Sequence, residues 1–117
     1  MLIVDDQREI CDCLQEFFSA RGFLVASAFS GEEALDRLQH DPADVILLDI
    51  LLPGLTGLEV LRRVRELLPQ ARVIMVTGLD QGDLRAQARR YGAVAYVTKP
   101  FDFSEATWSV AFVDPTR

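Results

Sequence analysis

A doubly wound α/β fold, a five-stranded parallel sheet in the order 2-1-3-4-5 with helices on both faces, is predicted by three features of this sequence. Five short apolar runs rich in valine and isoleucine begin near Leu2, Phe23, Val45, Val73 and Ala95, each separated from the next by an amphipathic segment. The runs are continuously apolar rather than alternating, as parallel strands buried on both faces and joined by right-handed helical crossovers must be. Finally, four of the five runs end in polar groups, and the order 2-1-3-4-5 makes those four neighbours with the second strand on the edge.

The elements follow in chain order. Ile10, Leu14, Phe17 and Phe18 recur at helical spacing ahead of Arg21-Gly22, where glycine suits a left-handed cap, so a first helix is predicted over about Gln7 to Arg21. Ser30 and Glu33 form a capping-box signature before Ala34, Leu35 and Leu38, opening a second helix that runs to about Gln39 and stops at Asp41-Pro42. Leu58, Leu61, Val64, Leu67 and Leu68 make the apolar face of a third helix. Leu84, Ala88 and Tyr91 make a weaker fourth, closed by Gly92. Asp102 and Glu105 suggest another capping box, opening a last helix from about residue 103 over Ala106, Trp108, Val110, Ala111, Phe112 and Val113 before Pro115. That segment is apolar nearly all round, and an exposed apolar patch is expected there.

At 117 residues, half of them hydrophobic, the chain has the length and composition of one globular domain, assigned to 1–117 with no linker or internal repeat. Its longest apolar runs fall far short of the roughly 20 residues that a membrane span requires. A net charge of -6 repels phosphate backbones, which excludes direct nucleic-acid binding by this segment and points to protein partners. Cys11 and Cys13, two apart on a helix, point in different directions and cannot bridge. With His40 as the lone histidine there is no zinc pattern, no disulfide framework and no secretory signal, so a reducing cytoplasm is expected.

Ligands of an open parallel sheet bind beyond the carboxyl ends of its strands. There the sequence puts Asp5-Asp6 after the first strand, Asp49 after the third, Thr77 at the end of the fourth and Thr98-Lys99-Pro100 at the end of the fifth. Carboxylates crowded together repel by about 4 kcal/mol per pair at 4 Å and an effective dielectric near 20, so a cation is expected among them. Mg²⁺ suits an all-oxygen site that a phosphate completes, with Asp6 and Asp49 as ligands and the Leu51 backbone carbonyl in reach. Such an ion keeps Asp49 ionised and offsets the charge of a phosphoryl group approaching that nucleophile. Lys99 is the only lysine among 12 basic residues, and its compact ammonium suits contact with Asp49 or a phosphoryl oxygen. Thr77 offers a hydroxyl with the uncrowded Gly78 beside it, and the Lys99-Pro100 bond is a candidate for the cis form.

Together, Leu2-Ile3-Val4-Asp5-Asp6, Asp49-Ile50-Leu51-Leu52-Pro53 with Thr56-Gly57, Val76-Thr77-Gly78 and Lys99-Pro100-Phe101 resemble the receiver domain of two-component response regulators, whose fold is flavodoxin-like. The resemblance covers about Leu2 to Asp102. It implies that Asp49 is the phosphoacceptor, that Asp5 and Asp6 are the acidic pair around Mg²⁺, and that Thr77 is the switch hydroxyl. Lys99 becomes the phosphate-sensing cation, and Tyr96 the aromatic residue that turns inward as the threonine moves. The implied donor is a sensor histidine kinase or phosphotransfer protein. The readout is the surface of the fourth helix, fifth strand and last helix, presented to an effector domain or protein, and the chain is a signalling domain rather than an enzyme acting on an external substrate.

Taken singly these residues have plainer readings: Asp5-Asp6 a turn and helix cap, Thr77 a satisfied strand-end hydroxyl, Tyr96 a half-buried strand aromatic. Cys11 and Cys13 read as core or boundary residues, His40 as a solvated helix end, and Arg62, Arg63 and Arg65 as the solvated face of the third helix. Three rival functions compete with this reading. A haloacid-dehalogenase-like phosphatase wants a second aspartate two residues after the nucleophile, where Leu51 stands. An FMN module needs a hydroxyl-rich and glycine-rich phosphate cradle after the first strand, which is absent. A degenerate receiver that only docks proteins is the alternative reading, opposed by the complete set of Asp5, Asp6, Asp49, Thr77 and Lys99. Two features depart from the resemblance: the first strand lacks a polar lead-in, and the last helix lacks the usual mixed basic and apolar pattern. The expectation is either an excised receiver or one that acts alone, its apolar end meeting a partner or forming a homodimer.

Overall fold

The computed structural model describes residues 1–112, leaving out the side chain of Phe112. Five strands, β1 (Leu2–Val4), β2 (Ala26–Ala28), β3 (Val45–Leu48), β4 (Arg72–Thr77) and β5 (Ala95–Thr98), form one parallel sheet in the order β2-β1-β3-β4-β5. The helices between them are α1 (Arg8–Ser19), α2 (Gly31–His40), α3 (Gly57–Leu67) and α4 (Gly82–Arg90), and α5 (Glu105–Phe112) follows β5.

Strand alternation splits the interior into two cores, because successive side chains leave a strand on opposite faces. Leu2, Val4, Ile46, Leu48, Val73 and Met75 pack against α2, α3 and α4. Ile3, Val45, Leu47, Ile74 and Val76 pack against α1 and α5. Helix spacing supplies the matching faces: Cys11, Leu14 and Phe18 on α1, Ala34 and Leu38 on α2, Val60, Leu61 and Val64 on α3 are all buried. Short as it is, β1 is paired on both sides and fully buried.

Several boundaries differ from expectation. α1 is shorter at both ends, with Gln7 as its N-cap, and Gly22 at φ 91° turns the chain away. β2 begins at Ala26 rather than Phe23: the Phe23 amide bonds back to the Phe18 carbonyl at 3.2 Å and its ring meets Phe18 edge-on, while Leu24 is 91% exposed. Ser30 caps α2 as expected, but the Glu33 carboxylate reaches the amide of Phe29 instead of Ser30's own. Leu67 lies at the exposed rim of α3, and Arg65 is not part of a solvated face, since it turns inward to bond the carbonyls of Pro69 and Ala71 at 2.9 and 2.6 Å. Cys11 is buried and Cys13 is exposed, so only the first is a core residue.

The last helix is capped by Ser104, not by a box of Asp102 and Glu105. Ser104 Oγ accepts from the Thr107 amide, and Asp102 accepts from Ser104 and from the Thr107 hydroxyl. Trp108 is fully buried among Phe17, Phe18 and Phe101, donating its indole N–H to the Asp102 carbonyl at 2.7 Å. Of the apolar patch expected here, the described residues show Phe103 at 42% exposure and the exposed Ala106. Val113 and Pro115, expected to end this helix, lie outside the described residues. From β4, Arg72 bonds the Val110 carbonyl at 2.7 Å and that of Ala111 at 3.4 Å, tying the end of α5 to the sheet. No helix among the described residues is long and apolar enough to cross a membrane.

Candidate functional site

The carboxyl ends of β1, β3 and β5 converge on one acidic cluster. Asp5 follows the last residue of β1 and Asp49 the last of β3, both held in strand register by backbone bonds: Asp5 N–H to the Ala28 carbonyl and Asp49 N–H to that of Val4. Asp5 and Asp49 are buried, at 2% and 4% exposure, whereas Asp6 faces solvent. One carboxylate oxygen from each of Asp5, Asp6 and Asp49 lies within 4.8 Å of the others.

Lys99 enters this cluster from the end of β5. Its Nζ stands 2.7 Å from Asp5 Oδ2, 2.8 Å from Asp49 Oδ2 and 2.8 Å from Gln7 Oε1. Its own amide donates to the Thr77 carbonyl at 2.8 Å, and the Lys99-Pro100 peptide bond is cis, as the sequence suggested. The cation that the carboxylates require is therefore supplied in part by the chain itself. Three carboxylates against one ammonium still leave two negative charges uncompensated.

Electrostatics follow from burial. Desolvation pushes the Asp5 carboxyl above the usual range, outweighing the hydrogen bond from Lys99. Burial pulls the Lys99 ammonium down, but the hydrogen bonds and charges of Asp49 and Asp5 overcome it and hold the group above its ordinary value. The remaining carboxylate lone pairs find backbone partners: Asp5 Oδ1 takes the Gln7 amide at 2.9 Å, and Asp49 Oδ1 the Leu51 amide at 3.1 Å. Leu51 thus stands beside Asp49 through its N–H, with its side chain 58% exposed.

An all-oxygen donor set with one solvent-facing member and a residual charge of two suits a hard divalent cation that keeps water ligands, so the residues fit Mg²⁺. No histidine or cysteine stands in the cluster to favour a softer metal.

Thr77 is fully buried at the end of β4, beside Thr98 of β5, and its Oγ1 accepts the Leu79 amide at 3.4 Å. Tyr96 is half-buried, and its hydroxyl donates to the Leu79 carbonyl. Arg85 lies over the Tyr96 ring at 4.6 Å and pairs with Asp80 at 2.8 Å. An added Cβ on Gly78 would meet nothing within 4 Å, so the space beside Thr77 is open. Two contributors escaped the sequence reading. Gln7 reads only as a helix start, and nothing local signals its bond to a residue 92 positions away. Gly57 reads as part of a motif, but its packing against the Asp49 carbonyl appears only in the folded chain.

Known proteins share this fold. The sequence model of the response regulator receiver domain matches residues 1–111. Over 105 residues the chain is 36% identical to sporulation initiation phosphotransferase F of Bacillus subtilis (strain 168), covering 90% of this chain and 85% of that protein. It is 40% identical to the uncharacterized transcriptional regulatory protein YkoG of the same organism, again over 90% of this chain but 46% of that protein. The chain thus spans about half the length of the transcriptional regulators it matches. Among solved structures, a CheY-like response regulator receiver domain protein from Methanospirillum hungatei JF-1 superposes with a TM-score of 0.89 at 30% identity, covering 95% of this chain and 89% of that one. A response regulator from Burkholderia pseudomallei, solved with a phosphorylated aspartic acid, calcium ion and citrate, gives a TM-score of 0.83 at 26% identity, over 95% of this chain and 70% of that one.

Proposed function

This chain belongs to the response regulator receiver domain family, and from that membership and the geometry of its acidic cluster we propose that it is a phosphorylation switch with Asp49 as the acceptor. The observation that carries the reading is the Lys99 ammonium bridging Asp5 and Asp49 within a three-carboxylate cluster. A histidine kinase or phosphotransfer protein presents a phosphoimidazole. An oxygen of the Asp49 carboxylate attacks phosphorus from the side opposite the leaving group, the O–P bond forms as the P–N bond breaks, and the electron pair returns to the imidazole nitrogen. A bound Mg²⁺, held by Asp6, Asp49 and the Leu51 carbonyl with Asp5 beside it, would supply the charge that neutralises the phosphoryl oxygens.

The chain's own residues do the rest. Asp49 is held in place by the Leu51 amide on one oxygen and by Lys99 on the other. Phosphorylation adds about -1.5 to -2 charges and three acceptor oxygens at that point. The Lys99 ammonium and the Thr77 hydroxyl hydrogen then gain a partner that exists in only one state, which is the differential interaction a population shift needs. Thr77 is linked through Leu79 to Tyr96, since its Oγ1 holds the Leu79 amide while Tyr96 holds the Leu79 carbonyl. Movement of Thr77 therefore reaches the surface of α4, β5 and α5, which an effector domain or partner protein reads in the cytoplasm.

Acetyl phosphate with Mg²⁺, followed by intact mass, tests this. The wild type should gain the mass of one phosphoryl group, dependent on the metal, and Asp49→Asn should gain none. A wild type that stays unlabelled with metal present overturns the switch and favours a receiver that only docks proteins.

A further inference from the structure

An ammonium has three N–H donors, and three oxygens already crowd that of Lys99. It is hydrogen-bonded to Asp49 Oδ2 and Gln7 Oε1, both at 2.8 Å, and ion-paired with Asp5 Oδ2 at 2.7 Å. A phosphoryl oxygen that reaches the ammonium must displace one of the three. The two carboxylates attract the ammonium charge to charge, which the neutral amide oxygen of Gln7 does not. Asp5 and Asp49 are also buried, while Gln7 is exposed, so water can replace the ammonium as partner of its amide. Gln7 is therefore the partner held least tightly.

Its position is nonetheless built. The Gln7 amide is fixed by Asp5 Oδ1 at 2.9 Å, and its carbonyl accepts the first bonds of α1, from Ile10 and Cys11. As the N-cap of α1 it makes no side-chain capping bond, which leaves the side chain committed to Lys99 across 92 residues of sequence. We propose that Gln7 is a positioning residue that parks the Lys99 ammonium against Asp49 in the resting protein and is the partner Lys99 gives up to a phosphoryl group. The second half rests on the phosphoacceptor reading; the first does not. Because the contact exists only in the resting state, it opposes phosphoryl binding and sets how tightly the site holds such a group.

Lys99 being the only lysine, lysine-selective ¹⁵N labelling gives one ammonium signal, observable in the metal-free protein. Gln7→Met keeps the length of the side chain and removes the amide acceptor, and Gln7→Glu makes that acceptor a charge. In Gln7→Met the ammonium hydrogens should exchange with water about tenfold faster, the factor that losing one hydrogen bond to a charged donor implies. With Mg²⁺ and beryllofluoride, a phosphoryl mimic, affinity should fall in the order Gln7→Met, wild type, Gln7→Glu, with melting temperatures recorded alongside. An unchanged lysine signal in Gln7→Met overturns the proposal, since the resting contact needs no phosphoryl group. A Gln7→Met that binds beryllofluoride no tighter than wild type overturns the exchange step. A wild type that binds no beryllofluoride, with the lysine signal altered as expected, sinks the phosphoacceptor reading while supporting the resting contact.

Discussion

Gly57→Ala should damage both stability and phosphorylation through one methyl group. A Cβ at this position would stand 1.9 Å from the Asp49 carbonyl oxygen and 2.7 Å from both the Asp49 carbonyl carbon and Ile50 Cα. All three are backbone atoms, so no rotamer change relieves the clash. Restoring ordinary contact, at 3.4 Å or more, moves the start of α3 away from the end of β3 by about 1.5 Å. That movement endangers the Gly57 amide bond to the Ile50 carbonyl at 2.9 Å and the Thr56 cap on the Glu59 amide at 3.3 Å. Overpacking of this kind costs about 1–3 kcal/mol and a lost backbone hydrogen bond about 1 kcal/mol, offset by up to about 1 kcal/mol of helix propensity gained over glycine. The net loss is about 1–3 kcal/mol, which at this chain length lowers the melting temperature by about 4–12 °C. Because the strained atoms belong to Asp49, the labelling rate with acetyl phosphate should fall as well, by up to about 100-fold for a 1 Å misplacement. Circular dichroism melts and mass-resolved labelling measure the two effects. Melting within about 1 °C of wild type at an unchanged labelling rate would refute the claim that α3 is locked onto the strand end.

Two further outcomes follow from burial at the same site. Burial raises the Asp5 carboxyl above its unfolded value, so the folded state binds that proton more tightly, and ionised Asp5 costs stability at neutral pH. That cost vanishes as pH falls through the folded pKa, so Asp5→Asn should melt a few degrees higher at about pH 7, with the advantage shrinking toward about pH 4, the ordinary carboxylate range. An advantage that grows in acid contradicts this sign. Burial, and then the charge of Asp5, pushes the Cys11 thiol up to about 11, while Cys13 is exposed. The native protein at about pH 8 should take up one equivalent of a thiol reagent, at Cys13 by peptide mapping, and a second only on denaturation. Rapid uptake of both in the native state counts against a sealed α1 face.

Strand order and the identity of the clustered side chains were readable from the chain because they rest on local signals. Continuous apolar runs mark buried parallel strands, and the residue after each run must emerge at the carboxyl edge, which brings Asp5, Asp49 and Lys99 to one place. Element ends were less legible where a neighbour competed with local propensity. Phe23 has the apolar character of a strand residue, yet the ring of Phe18 claims it. Arg65 has the spacing of a solvated face, yet its bonds to the carbonyls of Pro69 and Ala71 draw it in. Asp102 and Glu105 have the spacing of a capping box, yet Ser104 lies between them with a hydroxyl nearer the orphan amide.

The sequence by itself determined the doubly wound order and the acidic, single-lysine composition of the strand ends, since periodicity and residue type at a strand terminus involve only neighbours along the chain. Tertiary structure alone decided that Lys99 divides its ammonium among Asp5, Asp49 and Gln7, and that Gly57 must lack a side chain beside Asp49. These depend on distances between residues far apart in sequence, and such distances are set when helices dock on the sheet, not by any preference the residues carry alone.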